Sequence, residues 1–172
     1  PEANLARRAQ LFEIWIRPVP PEAAPMALRI ALHQLETLVR QGLSPEGFDA
    51  TRSYLTKNVF LQTRTQDLRL GYALDSRFYG MGEYCDAMRE KLGKLTREET
   101  NAAIRRHFSP ENLKVICITK DAEGLRKQLL SDEPATLKYD SPKPKELLEE
   151  DKIIGARKLK LTPERVKITP VE

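Results

Sequence analysis

The sequence feature that most restricts the fold is the segment 113–119, which reads LKVICIT and is apolar at almost every position. A strand covered on one face alternates apolar and polar residues, whereas a strand covered on both faces is apolar throughout. We therefore expect 113–119 to be a central strand with helices packed over it. A second strand is predicted over 11–17, where Phe12, Ile14 and Ile16 share one face of a pattern rich in aromatic and β-branched residues.

The residues between these two segments have the three-and-four spacing of apolar side chains that is typical of helices. Ser44 and Pro45 have the properties of an N-cap and a first helical residue, and Thr96 with Glu99 matches a capping box. Asp121 is expected to cap a last helix after the second strand. The predicted helices cover about 22–41, 45–63, 65–79, 83–92, 96–108 and 121–130.

Two strands and these helices predict an α+β fold, with helices packed on one face of a mostly antiparallel sheet. Because sheets commonly contain about 4–6 strands, a sheet made of only the two predicted strands would be incomplete. Either the edge-like segments 135–139 and 165–171 complete it, or strands precede residue 11. We expect residues 1–130 to form one α+β subdomain that is truncated at its N-terminus, and residues 131–172 to form an extended arm rich in Pro, Lys and Glu. The start at Pro1, without a methionine or a leader, is expected of a piece cut from a larger protein.

Charge and hydropathy narrow the classes of partner. No apolar run approaches the roughly 18 residues of a membrane span, so no membrane span is expected. The net charge of +4 comes from the second half of the chain, which includes the basic cluster Arg105, Arg106 and His107. Glu98 and Glu99 lie on the same predicted helix and no aromatic residues are interleaved, so the cations are expected to oppose the helix dipole rather than to bind nucleic acid.

The sequence offers no self-sufficient catalytic centre. His33-Gln34-Leu35-Glu36-Thr37 has the spacing of an H-x-x-E-H zinc motif, but Thr37 stands where the second histidine would be. The only other histidine, His107, lies on a different predicted helix. Cys85 and Cys117 lack metal-ligand spacing, and both are predicted to be small buried hydrophobic residues. We therefore predict no catalytic, metal or cofactor-binding residue in the chain, and the sequence points to no particular substrate-binding residue.

Several weak motifs, in order along the chain, together resemble the closing part of a pitrilysin/insulinase-type (mitochondrial-processing-peptidase-like) zinc metallopeptidase. They are LFEIWIRPV at 11–19, GLSPEGF at 42–48, TRSYL at 51–55, DSRFYG at 75–80, LTREETN at 95–101 and FSPENLKV at 108–115. The resemblance covers about residues 11–130. It implies a C-terminal peptidase-like α+β subdomain followed by the arm.

In that family the zinc-binding H-x-x-E-H and a further glutamate lie in an N-terminal half, while the zinc-free C-terminal half closes a chamber around unfolded peptides. The resemblance therefore implies a non-catalytic C-terminal segment of a zinc-dependent metalloendopeptidase that forms part of the chamber wall. It implies no cofactor in this chain and zinc in the N-terminal half of the parent protein. The alternative is an inactive partner subunit that binds peptides or stabilises a separate peptidase. The substrate-gripping Arg and Tyr of the family precede the strand that matches 11–19, so that role is not carried over to Arg7 or Arg8.

The implied partners are the N-terminal peptidase half or a partner subunit, and peptide substrates of the parent protein. Self-association through an exposed edge or an apolar helix face is also expected, because the family sheet includes strands before residue 11. Neither nucleic acid nor a membrane span is expected. Bacterial members of the family that the chain resembles are often extracytoplasmic, so the resemblance favours a periplasmic location only weakly. The sequence leaves open the compartment and the peptide and bond preference.

Overall fold

The computed structural model describes residues 12–170, which contain seven α-helices and three short 3₁₀ helices. The α-helices are α1 (Ala24–Gln41), α2 (Pro45–Asn58), α3 (Gln66–Phe78), α4 (Tyr84–Lys94), α5 (Arg97–His107), α6 (Ala122–Ser131) and α7 (Lys145–Gly155). The 3₁₀ helices cover Pro21–Ala23, Val59–Thr63 and Pro163–Arg165. Six α-helices lie where the sequence predicted them, and α7 lies where an extended arm was expected.

Local capping explains where several of these helices begin. The Ser44 hydroxyl accepts a hydrogen bond from the Gly47 N–H at 3.0 Å at the start of α2. At the start of α5, the Thr96 hydroxyl and the Glu99 carboxylate form the predicted capping box. Each cap satisfies backbone N–H groups that have no partner within the first turn of a helix. These contacts involve residues only three positions apart, which is why the sequence alone predicted them.

The predicted α+β fold is wrong for the described part of the chain, because residues 12–170 contain no strand and no sheet. Segments 12–17, 113–119, 135–139 and 166–170 have no regular secondary structure, and Arg165 is the last residue of a 3₁₀ helix. Residues 11 and 171, at the ends of two predicted strands, lie outside the described residues. A helix closes its hydrogen bonds within one segment, whereas a strand needs a second segment beside it. The side-chain patterns of strands are present, but no described segment pairs with 12–17 or 113–119.

The chain divides into two compact units, with boundaries between Phe12 and Glu13, within α1 between Thr37 and Leu38, and between Phe108 and Ser109. The first unit contains Phe12 and Leu38–Phe108, and the second contains Glu13–Thr37 and the described residues from Ser109 onward.

The first unit is built from α2, α3, α4, α5 and the 3₁₀ helix Val59–Thr63. Its buried apolar side chains are Phe48, Val59, Tyr72, Cys85 and Ile104. The rings of Tyr72 and Tyr84 stack with their centroids 4.1 Å apart, which joins α3 to α4. Burial of the Tyr84 hydroxyl, with the charge and hydrogen bond of Tyr72, raises the pKa of Tyr84 to about 12.

The second unit contains the first part of α1 together with α6 and α7. Its buried apolar side chains include Met26, Leu35, Leu129 and Ile154. Gly155 at the end of α7 approaches the segment after α6 closely, because its carbonyl oxygen accepts the Ala135 N–H at 3.1 Å. A Cβ atom at Gly155 would lie 2.1 Å from the Ala135 carbonyl oxygen. The backbone contact therefore requires glycine at this position.

Candidate interaction surfaces

Two segments with the side-chain pattern of strands leave their apolar residues in solvent. We call 12–19 and 113–119 the two strand-patterned segments. Trp15 is 86% exposed in the first, and Ile116 and Ile118 are 88% and 91% exposed in the second. Single exposed apolar residues are ordinary, but contiguous ones mark a site of interaction. Each segment is such a run, since the first also exposes Phe12, Ile14, Ile16 and Val19, and the second Leu113 and Val115.

The backbones of these two segments also lack partners within the described chain. No backbone hydrogen bond joins 113–119, or 12–19, to another segment of residues 12–170. The indole N–H of Trp15 donates to Glu13 at 2.9 Å, which is a contact within its own segment. A segment with free N–H and C=O groups and apolar side chains has what strand addition to a sheet edge requires.

Cys117 illustrates the difference between pattern and structure. The thiol was predicted to be buried because it lies in the middle of an apolar strand, but the structure places it in an exposed position. That prediction is wrong, because it depended on a sheet that the described residues lack. Cys85 is buried as predicted, with its sulfur 3.4 Å from the Thr63 hydroxyl.

A second exposed apolar surface lies on α3. Leu70, Leu74 and Phe78 are four residues apart and therefore lie along one side of the helix. They are 62%, 51% and 78% exposed. Asp67 and Arg77 are also exposed and lie on the same side near opposite ends of the helix. We call these five residues the α3 face.

In the second unit, the most deeply buried charge belongs to Arg29 of α1, whose side chain is 1% exposed. Its guanidinium donates to the carbonyl oxygens of Arg157 at 2.8 Å, Glu133 at 2.9 Å and Pro25 at 3.3 Å. It also lies 3.2 Å from the Asp132 carboxylate. One side chain thus connects α1 to the segments that follow α6 and α7.

Asp132, whose carboxylate pairs with Arg29, also binds the segment that follows α7. It adopts a left-handed conformation with φ 52° at the end of α6, which aspartate tolerates better than most residues. Its carboxylate accepts the N–H groups of Leu159 at 2.8 Å and Lys160 at 3.1 Å. Burial raises the pKa of Asp132, but these two N–H groups and the charges of Lys158 and Arg29 outweigh it and hold the pKa below its ordinary range.

The residues that resembled a metal motif contact other side chains of the second unit. The His33 Nε2 atom is 3.9 Å from a Glu150 carboxylate oxygen. Glu36 forms a two-pronged ion pair with the guanidinium of Arg157. The His33 contact connects α1 to α7, and the Glu36 contact connects α1 to Arg157, two residues after the end of α7. The spacing of His33 and Glu36 therefore has a structural explanation.

Between residues 12 and 170, no group of three His, Cys, Asp or Glu side chains has the arrangement of a metal site. None of the helices described there has the length and the hydropathy that crossing a bilayer requires. No family model, no curated protein and no solved structure matches the chain.

Sequence reasoning missed α7 and the contacts of Arg29. A weak signal for α7 was present, because Leu147 and Ile154 are seven positions apart and so share one side of a helix, but the surrounding prolines and charges favoured an extended arm. No local signal identified Arg29, because its partners Asp132 and Arg157 lie 103 and 128 residues away in the sequence.

Proposed function

We propose that this chain is a non-catalytic C-terminal segment of a zinc-dependent metalloendopeptidase. In this proposal it forms part of the wall of the chamber that encloses peptides, and proteolysis takes place in the zinc-bearing half of the parent protein. The choice of family is supported by the motifs between residues 11 and 130, which resemble those of this family and follow one another in the same order. The observation that carries the proposal is the exposure of both strand-patterned segments, since a segment that joins a partner's sheet needs free backbone groups and apolar side chains.

The docking step follows from the chemistry of these segments. Backbone groups of 113–119 pair with an edge strand carried by the peptidase half, and the side chains on both faces become covered. Ile116 and Ile118 share one face of the added strand, whereas Val115 and Cys117 share the other. Burying a fully exposed isoleucine contributes about 1.5–3 kcal/mol, so this segment supplies a large part of the docking free energy.

The experiment compares one double substitution in two contexts. Ile116→Lys with Ile118→Lys changes two side chains that are exposed in the isolated chain, so the free energy of unfolding of the isolated chain should change by less than about 0.5 kcal/mol. In the complete gene product that contains this chain, the same substitution should lower peptide hydrolysis at least about tenfold, since about 1.4 kcal/mol of lost docking energy corresponds to that factor. Zinc content, measured by mass spectrometry, should stay unchanged.

The control is Ile153→Lys, which makes the same kind of substitution, with one added charge instead of two, at an exposed isoleucine of α7. This control should leave hydrolysis by the gene product unchanged. Equal losses from Ile153→Lys and the double variant would contradict the proposed docking. Peptidase activity or stoichiometric zinc in the isolated 172-residue chain would contradict its non-catalytic role. Absence of H-x-x-E-H throughout the gene product would instead favour an inactive partner subunit.

A further inference from the structure

The α3 face is a second apolar surface, and it is independent of the two strand-patterned segments. Leu70, Leu74 and Phe78 are more than half exposed, although Tyr72 and Ser76 on the opposite side of α3 are buried. An amphipathic surface helix normally turns polar residues to solvent. The outward side of α3 is instead apolar along three turns, which is the property of an interaction surface.

The two charged residues of the α3 face indicate which kind of partner it fits. Asp67 lies near the N-terminal end of α3 and Arg77 near its C-terminal end, ten positions apart. At 1.5 Å per residue, they lie about 15 Å apart along the helix axis. Two copies of the face that meet in opposite directions around residue 72 bring Asp67 of each copy opposite Arg77 of the other. The same arrangement brings Leu70 of each copy opposite Leu74 of the other.

We propose that the α3 face binds a second copy of this chain, with the two α3 helices antiparallel across a two-fold axis. Such an interface is self-complementary, because each contact occurs twice with the roles of the copies exchanged. One face of a 13-residue helix is small beside the roughly 800 Å² per partner of a standard stable interface. The dimer is therefore weak.

Charge reversal tests this arrangement directly. Asp67→Arg places arginine opposite arginine at both symmetric positions, and Arg77→Asp places aspartate opposite aspartate. Each single reversal should weaken dimerisation about tenfold, because two ion pairs become two repulsions. The double variant, with both reversals, restores opposite charges across the interface. Its dissociation constant should return to within about threefold of the original, since the pairs are the same in chemistry.

Sedimentation equilibrium of the 172-residue chain, up to about 1 mM, is the measurement, since a weak dimer is populated only in that range. The monomer has a mass of 19.7 kDa. The matched controls are Asp86→Arg in the first turn of α4 and Arg106→Asp in the last turn of α5, which lie in the corresponding helix turns but off the face. Both should leave the dissociation constant unchanged, and circular dichroism should show that every variant keeps its helices.

A further variant tests the apolar part of the face. Leu74→Glu should abolish the dimer, whereas Ile153→Glu, at an exposed isoleucine of α7, should not. A wild-type chain that stays monomeric throughout this concentration range would overturn the proposal and leave the face to a different partner. A dimer that is insensitive to the single reversals, or single reversals without recovery in the double variant, would also overturn the antiparallel arrangement.

Discussion

Replacing Arg29 by methionine removes a buried guanidinium while keeping an unbranched side chain of similar reach. The carbonyl oxygens of Glu133 and Arg157 then lose their donor, and Asp132 loses a cation. The carbonyl oxygen of Pro25 accepts only a long bond of 3.3 Å from Arg29, so its loss counts little.

The expected loss of stability depends on which hydrogen bonds each partner of Arg29 keeps after the substitution. A buried acceptor without a partner costs about 1–3 kcal/mol, and both carbonyl contacts are partly buried, so the lower end applies. Asp132 keeps two backbone N–H donors and its side chain is 18% exposed, so the loss of the ion pair is discounted to at most about 1 kcal/mol. We expect the second unit to lose about 3 kcal/mol, against the 5–15 kcal/mol that stabilises a typical domain.

Urea unfolding followed by circular dichroism measures the loss. With a slope of about 2 kcal/mol per molar, the midpoint of the second unit should fall by about 1.5 M. Hydrogen exchange should show faster opening at the Ala135 amide, which donates to Gly155, and little change at amides of the first unit. Arg165→Met, at an exposed arginine of the same unit, is the control and should shift the midpoint little. Equal midpoints for Arg29→Met and Arg165→Met would refute the reasoning.

Three further predictions concern single positions. Gly155→Ala should destabilise the second unit by more than about 2 kcal/mol, because the added Cβ would collide with a backbone carbonyl. Gly93→Ala has open space around it and should be neutral or stabilise α4 by about 0.5 kcal/mol; the urea midpoints of the two variants test this difference. The pKa of Tyr84 is raised to about 12, above its ordinary value of about 10. The neutral phenol therefore stabilises the fold fully below pH 10, and this contribution is lost as the pH rises from 10 to 12. A Tyr84→Phe variant that loses as much stability over this range as the wild type would contradict this prediction. A thiol reagent should label Cys117 in the folded chain and Cys85 only after unfolding, and rapid labelling of both would show that the first unit opens readily.

The helices were predictable because their signals are local. Ser44, Thr96 and Glu99 make contacts only three residues away, and those contacts set where α2 and α5 begin. The strand pattern of 113–119 is local as well, but the hydrogen bonds of a strand are not. The predicted sheet therefore failed at the step that needs a second segment. Arg29 was missed for the same reason, because its contacts join residues more than 100 positions apart.

The exposed segment 113–119 is also where the central proposal is tested most directly. Hydrogen exchange with mass spectrometry should be measured on the amides of 113–119, in the isolated chain and in the complete gene product that contains it. These amides have no backbone partner in the described chain, so they should exchange rapidly in isolation. In the gene product, docking on a partner strand should slow their exchange at least about a hundredfold, since that corresponds to roughly 2.7 kcal/mol of protection. Equally rapid exchange in both contexts would contradict the proposal that this chain completes a larger peptidase through its strand-patterned segments.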